Sequence, residues 1–246
     1  MARVLIIGAS SAIAAEVARR CATRGDRLFL IARDPQKLRA LEAELGGCVV
    51  GTLAADLTST SRSAALIAKA VRALGELDLT IVAHGLLGDQ RATELHYSAA
   101  EEVLQTNLLS VIALLIPIAN VLEAQGQGTV AVLTSVAGDR GRPRNYTYGA
   151  AKGALNLYLQ GLRSRLHGRG VKVFAIRLGP VDTPMTAGHR KTLLFGKPGP
   201  IADRLLHLLE GRRQDLYLPS FWAPIMAVVR NLPEGVFQRL GFLSKR

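Results

Sequence analysis

Apolar residues along this chain alternate between two patterns. Short unbroken runs at Arg3 to Gly8 (RVLIIG), Arg27 to Ala32 (RLFLIA), Cys48 to Ala54, Leu77 to Ala83, Gly128 to Ser135 and Val171 to Leu178 predict strands buried on both faces. Leu216 to Pro219 reads as a last, shorter strand. Between these runs the apolar positions recur at helical spacing. Ala12 to Arg24 ends before Gly25, Pro35 opens a stretch to Leu45, and Ser61 to Leu74 leads into the fourth strand. A long helix is predicted from about Ala99 to Gln125, kinked or broken at Pro117, and another from Thr147 to about Leu166. Strand and helix alternating in this way define an α/β fold, a doubly wound parallel sheet of about seven strands with helices on both faces. Ligands in such sheets lie at the carboxyl ends of the strands.

Composition adds bounds. With 246 residues and 49% of them hydrophobic, one large domain is expected over 1–220, with residues 221–246 as an apolar and basic helical tail rather than a second domain. The chain enters its first strand at Arg3 without the basic, apolar and small-residue order of a signal peptide, so a cytoplasmic protein is expected. Cys21 and Cys48 are too few for a disulfide framework, and the histidines at 84, 96, 167, 189 and 207 have no metal-ligand spacing. No metal is predicted. The formal charge of +12 asks for an anionic partner or a solvated surface. Nucleic acid is set aside because no stacking motif or zinc finger accompanies the charge. A membrane surface or a phosphorylated substrate fits better the cluster Arg140, Arg142 and Arg144.

That cluster adjoins the chemistry. Tyr148 and Lys152, four apart on a helix, lie one above the other on one face, where a fixed cation would favour the phenolate. Neither Tyr146 nor Tyr158 has a cation at that spacing. Ser135 ends the fifth strand, placed so that two hydroxyl groups hold one carbonyl oxygen. The remaining strand ends read as a nucleotide site. After strand one, Gly8, Ser10, Ser11, Ala12 and Ile13 form a small-residue turn that opens a helix and can receive a pyrophosphate. After strand two, Arg33 stands where an acidic residue would accept ribose hydroxyls, which favours the 2′-phosphate of NADPH over NADH. Asp56 and Leu57 follow strand three, with the adenine or a helix cap as their task. Ala83, His84 and Gly85 follow strand four, His84 reading as a packing residue on the cofactor side rather than a base.

Together with Asn107 in the long helix and Gly179-Pro180-Val181-x-Thr183 after strand six, this order of residues resembles the short-chain dehydrogenase/reductases, a family with a Rossmann-type fold. The resemblance implies that Tyr148 donates the proton in reduction and that Lys152 lowers its pKa and binds the nicotinamide ribose. It implies that Ser135 polarises the carbonyl, that Asn107 holds a relay water, and that Pro180, Val181 and Thr183 flank the nicotinamide. Homodimers or homotetramers are usual in that family. Ala12 and Ala14, where glycines are common, and Val82-Ala83-His84-Gly85, in place of the usual Asn-Asn-Ala-Gly, are departures that bear on cofactor affinity.

Gly85-Leu86-Leu87-Gly88-Asp89, the block from Ser135 to Leu155, Met185 to His189, and the tail from Trp222 to Phe237 also resemble the decaprenylphosphoryl-2-keto-pentose reductases within that family. These reduce a keto-sugar carried on a polyprenyl phosphate, which implies a partner oxidase to form the ketone. The tail is too short to span a bilayer, which takes about 20 residues. Its aromatic entry and the cations Arg230, Arg239, Lys245 and Arg246 suit a membrane interface, or else a cap on the substrate cleft or a subunit interface. Met185 to Pro200 reads as a substrate lid or a plain surface loop. A soluble reductase of small ketones or 3-oxoacyl thioesters, and a non-catalytic dinucleotide-binding scaffold, are the rival readings.

Overall fold

A computed structural model describes residues 1–188 and 190–240. His189, Lys245 and Arg246 therefore lie outside the described residues. The strands are β1 (Arg3–Ile7), β2 (Arg27–Ala32), β3 (Val49–Ala54), β4 (Leu79–Val82), β5 (Gly128–Ser135), β6 (Val171–Leu178) and β7 (Asp215–Leu218). They form one parallel sheet in the order β3-β2-β1-β4-β5-β6-β7. Successive residues of a strand point to opposite faces, and here both faces are covered. Val4 and Ile6 of β1 join a core under α1 (Ala12–Thr23), α2 (Pro35–Leu45) and α8 (Pro198–Leu209). Leu5 and Ile7 join the other core under α3 (Ser63–Leu74), α6 (Ser110–Gln125) and α7 (Tyr146–Arg165). The strand order reverses between β1 and β4, which opens a crevice at their carboxyl ends.

The predicted elements are found, with differences at their ends. Strand four is only Leu79–Val82, because Leu77 is held by a side chain instead: Gln125 Oε1 accepts from its N–H at 3.0 Å and Gln125 Nε2 donates to its carbonyl at 2.8 Å. The long helix starts at Tyr97 and runs to Gln125 through a π turn, with a separate short helix before it. Two short helices, α4 (Gln90–Leu95) and α5 (Tyr97–Leu104), precede a π turn at Gln105–Leu109 that passes into α6. Pro117 lies within α6 and does not end it. The buried stripe Leu114, Leu115, Ile118, Ala119 and Leu122 outweighs one missing backbone hydrogen bond. Among the described residues one helical stretch, Tyr97–Gln125, is long and apolar enough to cross a membrane, and that same stripe lies in the core.

The tail folds back on the sheet. In α9 (Trp222–Asn231) and α10 (Glu234–Arg239), Trp222, Met226, Val229 and Phe237 bury themselves against Val136, just beyond β5. Arg140 fastens them. Its guanidinium donates to the carbonyls of Val229 and Leu232, pairs with Glu234 at 2.7 Å and stacks 4.3 Å over the Phe237 ring. The tail packs beside the strand ends without lining the cleft.

Candidate active site

The carboxyl ends of the strands surround a cleft of about 1250 Å³. Its floor is set by close backbone contact. Gly8 leaves β1 with φ near +80°, and a Cβ there would lie 2.5 Å from the amide nitrogen of His84. Gly8 is thus buried beneath the cleft while Ser10, Ser11, Ala12 and Ile13 line it. Ser11 caps α1, its hydroxyl accepting from the N–H of Ala14 at 3.3 Å. The first-turn N–H groups of Ala12 and Ile13 have no preceding helical carbonyl, so the positive end of α1 faces the cleft. Ala14 is fully buried in the core and does not touch the cleft. These residues fit a dinucleotide: a tight turn, small side chains and a helix N-terminus at the switch point.

Arg33 lines the cleft beyond β2. Asp56 and Leu57 do not. Asp56 accepts from both the N–H and the hydroxyl of Thr58, at 3.0 and 2.8 Å. Those bonds, aided by the charge of Arg33, hold its carboxyl below the usual range. It caps no helix, since α3 begins at Ser63, and Leu57 is buried in the core. Ala83, His84 and Gly85 line the cleft after β4, and Pro180, Val181 and Thr183 line it after β6. A Cβ on Gly179, just before them, would overlap the indole of Trp222, so the tail buttresses this segment from below.

Ser135, Tyr148 and Lys152 meet at the centre. Ser135 ends β5, its Oγ accepts from the N–H of Ala137 at 3.1 Å and donates to the carbonyl of Leu178 at 3.5 Å, and it lies close enough to the Tyr148 phenol to influence its pKa. The Lys152 ammonium lies 5.8 Å from the centre of the Tyr148 ring and donates to the carbonyl of Leu133 at 3.2 Å. Glycines bring these groups together. A Cβ on Gly149 would lie 2.8 Å from the oxygen of Ala137, and one on Gly138 2.6 Å from the nitrogen of Gly153. Only backbone without side chains lets α7 approach the turn after β5 so closely. Gly149 and Gly153, spaced four apart beside Tyr148 and Lys152, were a signal in the sequence that the motif reading passed over.

Burial governs the ionisation of this centre. It pushes Tyr148 up to about 12 and brings Lys152 down to about 8. In the protein alone burial is the main influence on the phenol, and Ser135 is what opposes it. Tyr148 is the neutral phenol at physiological pH, the form that donates a proton.

Asn107 sits buried in the π turn rather than on the cleft wall. Its Oδ1 accepts from the N–H of Leu86 at 3.1 Å, and its Nδ2 donates to the carbonyls of Leu86 and Val103 at 2.6 and 2.8 Å. Its amide fixes the Gly85–Leu86 backbone, and a Cβ on Gly85 would meet Asn107 Oδ1 at 2.9 Å. His84 is neutral, its pKa brought down to about 3 by burial and by the charge of Lys152. Ser110 donates its proton to the carbonyl of Thr106, so it accepts from His84 Nε2, 2.9 Å away, and Nδ1 keeps the lone pair. A base this weak does not fit proton abstraction, in keeping with a packing role.

The substrate side was not legible as a unit. Thr147, at the start of α7, takes Gln90 Oε1 on its N–H at 3.1 Å and Thr93 Oγ1 on its hydroxyl at 2.9 Å, which ties α4 to the catalytic helix. Past Gly85, Gly88 and Met185 the cleft opens into a hollow of about 600 Å³. The loop after β6 is closed at its base, where Gly196 N–H donates to the carbonyl of Pro180 and Asp182 N–H to that of Gly196, each at 2.9 Å. The loop expected to reach Pro200 gives way to α8 at Pro198. Of the three clustered arginines, Arg142 and Arg144 line the cleft, while Arg140 is the clip on the tail.

Residues 2–194 match the family model of short chain dehydrogenases. The chain is 32% identical over 242 residues to an uncharacterized oxidoreductase of Mycobacterium tuberculosis, covering 97% of each. It is 35% identical over 243 residues to one of Streptomyces coelicolor, covering 96% of this chain and 95% of that one. Among solved structures, a short chain dehydrogenase/reductase family protein aligns with a TM-score of 0.78 at 25% identity, covering 87% of this chain and 94% of its own. A levodione reductase aligns at 0.76 and 23% identity over 85% and 90%, which is a likeness of fold.

Proposed function

The chain belongs to the short-chain dehydrogenase family and is an NAD(P)-dependent oxidoreductase, and on that premise we propose that it is an NADPH-dependent ketone reductase. Its substrate is a keto-sugar carried on a polyprenyl phosphate, a precursor of cell-envelope polysaccharide. The observation that carries the reductive direction is the neutral Tyr148 phenol, which shares the cleft with Ser135 and Lys152.

When bound, the reduced nicotinamide supplies a hydride to the carbonyl carbon. The residues act on the oxygen. Ser135 and Tyr148 hold it between two hydroxyl groups, and the Tyr148 proton passes to it as negative charge develops. An alkoxide is a far stronger base than a phenolate, so the transfer runs downhill even from a phenol near 12. The Lys152 ammonium, facing the Tyr148 ring, stabilises the phenolate left behind. Asn107 keeps the Gly85–Leu86 wall in place.

Arg33, at the end of β2, lines the cleft and supports NADPH, while the next residue, Asp34, is engaged as the cap of α2, accepting from the N–H groups of Gln36 and Lys37. For the substrate, support comes from the basic wall at Arg142 and Arg144 and from the likeness of the loops and tail to the decaprenylphosphoryl-2-keto-pentose reductases. A lipid-linked ketone implies an oxidase that forms it and peripheral contact with the inner face of the cell membrane. Phe221, Val228 and Val236, exposed on the tail, would meet lipid. Ile116 on α6 and Leu157 on α7, exposed apolar residues, support a homodimer or homotetramer.

Tyr148→Phe tests the chemistry. It should bind NADPH as the native protein does and lose turnover by about 100- to 10,000-fold, the usual contribution of a general acid. Near-native turnover in that variant would remove Tyr148 from the mechanism.

A further inference from the structure

Arg142 is a cation in the cleft wall that forms no ion pair among the described residues. It lies on the loop between Ser135, at the end of β5, and Tyr148, in the first turn of α7, and lines the same cleft. Its Nε is buried and has no hydrogen-bond partner among the described residues. The carboxylate beside it is already spent. Asp139, with its side chain 1% exposed, receives Arg177 Nη1 at 2.6 Å and the Tyr217 hydroxyl at 2.7 Å. The acidic groups across the cleft serve α4: Asp89 accepts from the N–H groups of Arg91 and Ala92 that it caps, and Glu94 accepts from Gln90 Nε2. Arg144 adds a like charge, and burial with that repulsion pushes the Arg142 pKa down against the pull of Asp139. A guanidinium stays protonated at any physiological pH, so an arginine placed this way keeps its desolvation cost until an anion arrives.

The contrast with Arg140 is instructive. Two residues away on the same loop, Arg140 has its donors filled by the tail's carbonyls and Glu234. One arginine closes the fold; the other lines the cleft with its Nε–H unfilled.

We propose that Arg142 is the ligand for a phosphate group on the substrate, its planar fork recognising the anionic oxygens while Ser135 and Tyr148 hold the reacting carbonyl. The assignment rests on the reductase reading for the identity of the cleft, but on neither the sugar nor the length of the lipid. Phosphate could arrive on a polyprenyl chain or on a soluble ester. The shared chemistry is what Arg142 reads.

The test is binding, without turnover. Farnesyl phosphate, farnesol and inorganic phosphate are titrated calorimetrically into the NADPH-loaded native protein, Arg142→Gln and Arg142→Lys. The native protein should bind farnesyl phosphate at least about tenfold more tightly than farnesol. The Gln variant should weaken farnesyl phosphate by about 10- to 100-fold, leave farnesol unchanged and melt no lower without ligand, while the Lys variant keeps part of the margin. Arg142-dependent binding of inorganic phosphate as tight as that of farnesyl phosphate supports the subsite with a soluble ester as its source. Native-like farnesyl phosphate binding by the Gln variant overturns the assignment. So does a native protein that does not distinguish phosphate from alcohol, or a lower melting temperature of the Gln variant, which would make Arg142 a structural residue. If phosphate binding depends on Arg142 yet the keto-sugar is not reduced, the sugar reading fails and the subsite stands.

Discussion

Around Gly8 and Gly85 the cleft wall is backbone against backbone, whereas around Arg142 and Thr147 it is built by side chains reaching from distant segments. On the cofactor half, a Cβ at Gly8 would strike the His84 backbone, and the Gly85 wall is fixed by the amide of Asn107. On the substrate half, Gln90 and Thr93 grip Thr147 from nearly sixty residues upstream, and Arg140 grips a tail about ninety residues downstream. Steric constraint of the first kind tolerates almost no substitution. Polar reach of the second kind can be changed one contact at a time, which lets one half stay constant while the other follows its substrate.

The sharpest way to break this contrast is at Gly138, where the halves join. An added Cβ would lie 2.6 to 2.9 Å from backbone atoms of Lys152 and Gly153. Gly138→Ala should destabilise by about 3 kcal/mol, as overpacking does, and misplace Tyr148 enough to abolish turnover, read by thermal unfolding and NADPH oxidation. A silent substitution would show that the approach of α7 is not steric.

Next in size is a pH effect at the centre. The folded pKa of Lys152, near 8, lies below its ordinary 10.5. As pH rises from 8 to about 10 the unfolded chain binds more protons than the folded one, so stability increases. The gain is at most about 3 kcal/mol, for roughly 1.4 kcal/mol per pKa unit. Above pH 10 the sign reverses, because Tyr148, raised to about 12, stays protonated in the fold while the unfolded phenol ionises. Denaturant melts of cofactor-free protein against pH should show the rise in the native chain and lose it in Lys152→Met.

Two smaller effects separate the halves. Arg33→Asp should weaken NADPH by about 10- to 100-fold with little change in NADH, the value of charge-assisted bonds to one phosphate. Equal effects on both cofactors would contradict the NADPH reading. Arg140→Ala should cost about 2 kcal/mol and leave cofactor affinity alone, with limited proteolysis cutting first in the tail. Loss of NADPH binding in that variant would show that the two halves are not separable.

Legibility followed the same division. The strand runs are buried on both faces, so they stand out as unbroken apolar segments, and β5 and β6 match their predicted ends. The residues that line the cleft after β1, β2, β4 and β6 were readable because parallel topology puts strand ends there. Asp56 and Leu57 do not line the cleft, since a strand end does not reveal which side chain turns to its own neighbour, here Thr58. The helix at Gln90–Leu95 was missed because its six residues are too few to show a period, and it is fixed by its Asp89 cap and Thr147. In Arg140 and Arg142 the sequence offers two like residues; only the fold shows which meets the tail.

The most direct test of the account is NADPH oxidation by the purified protein in lipid vesicles, offered a polyprenyl-phosphate keto-pentose beside a panel of soluble ketones. Rapid oxidation with the lipid-linked sugar and little with the panel is the predicted result. Turnover confined to soluble ketones would contradict the lipid-sugar assignment while leaving Tyr148 and its partners in place.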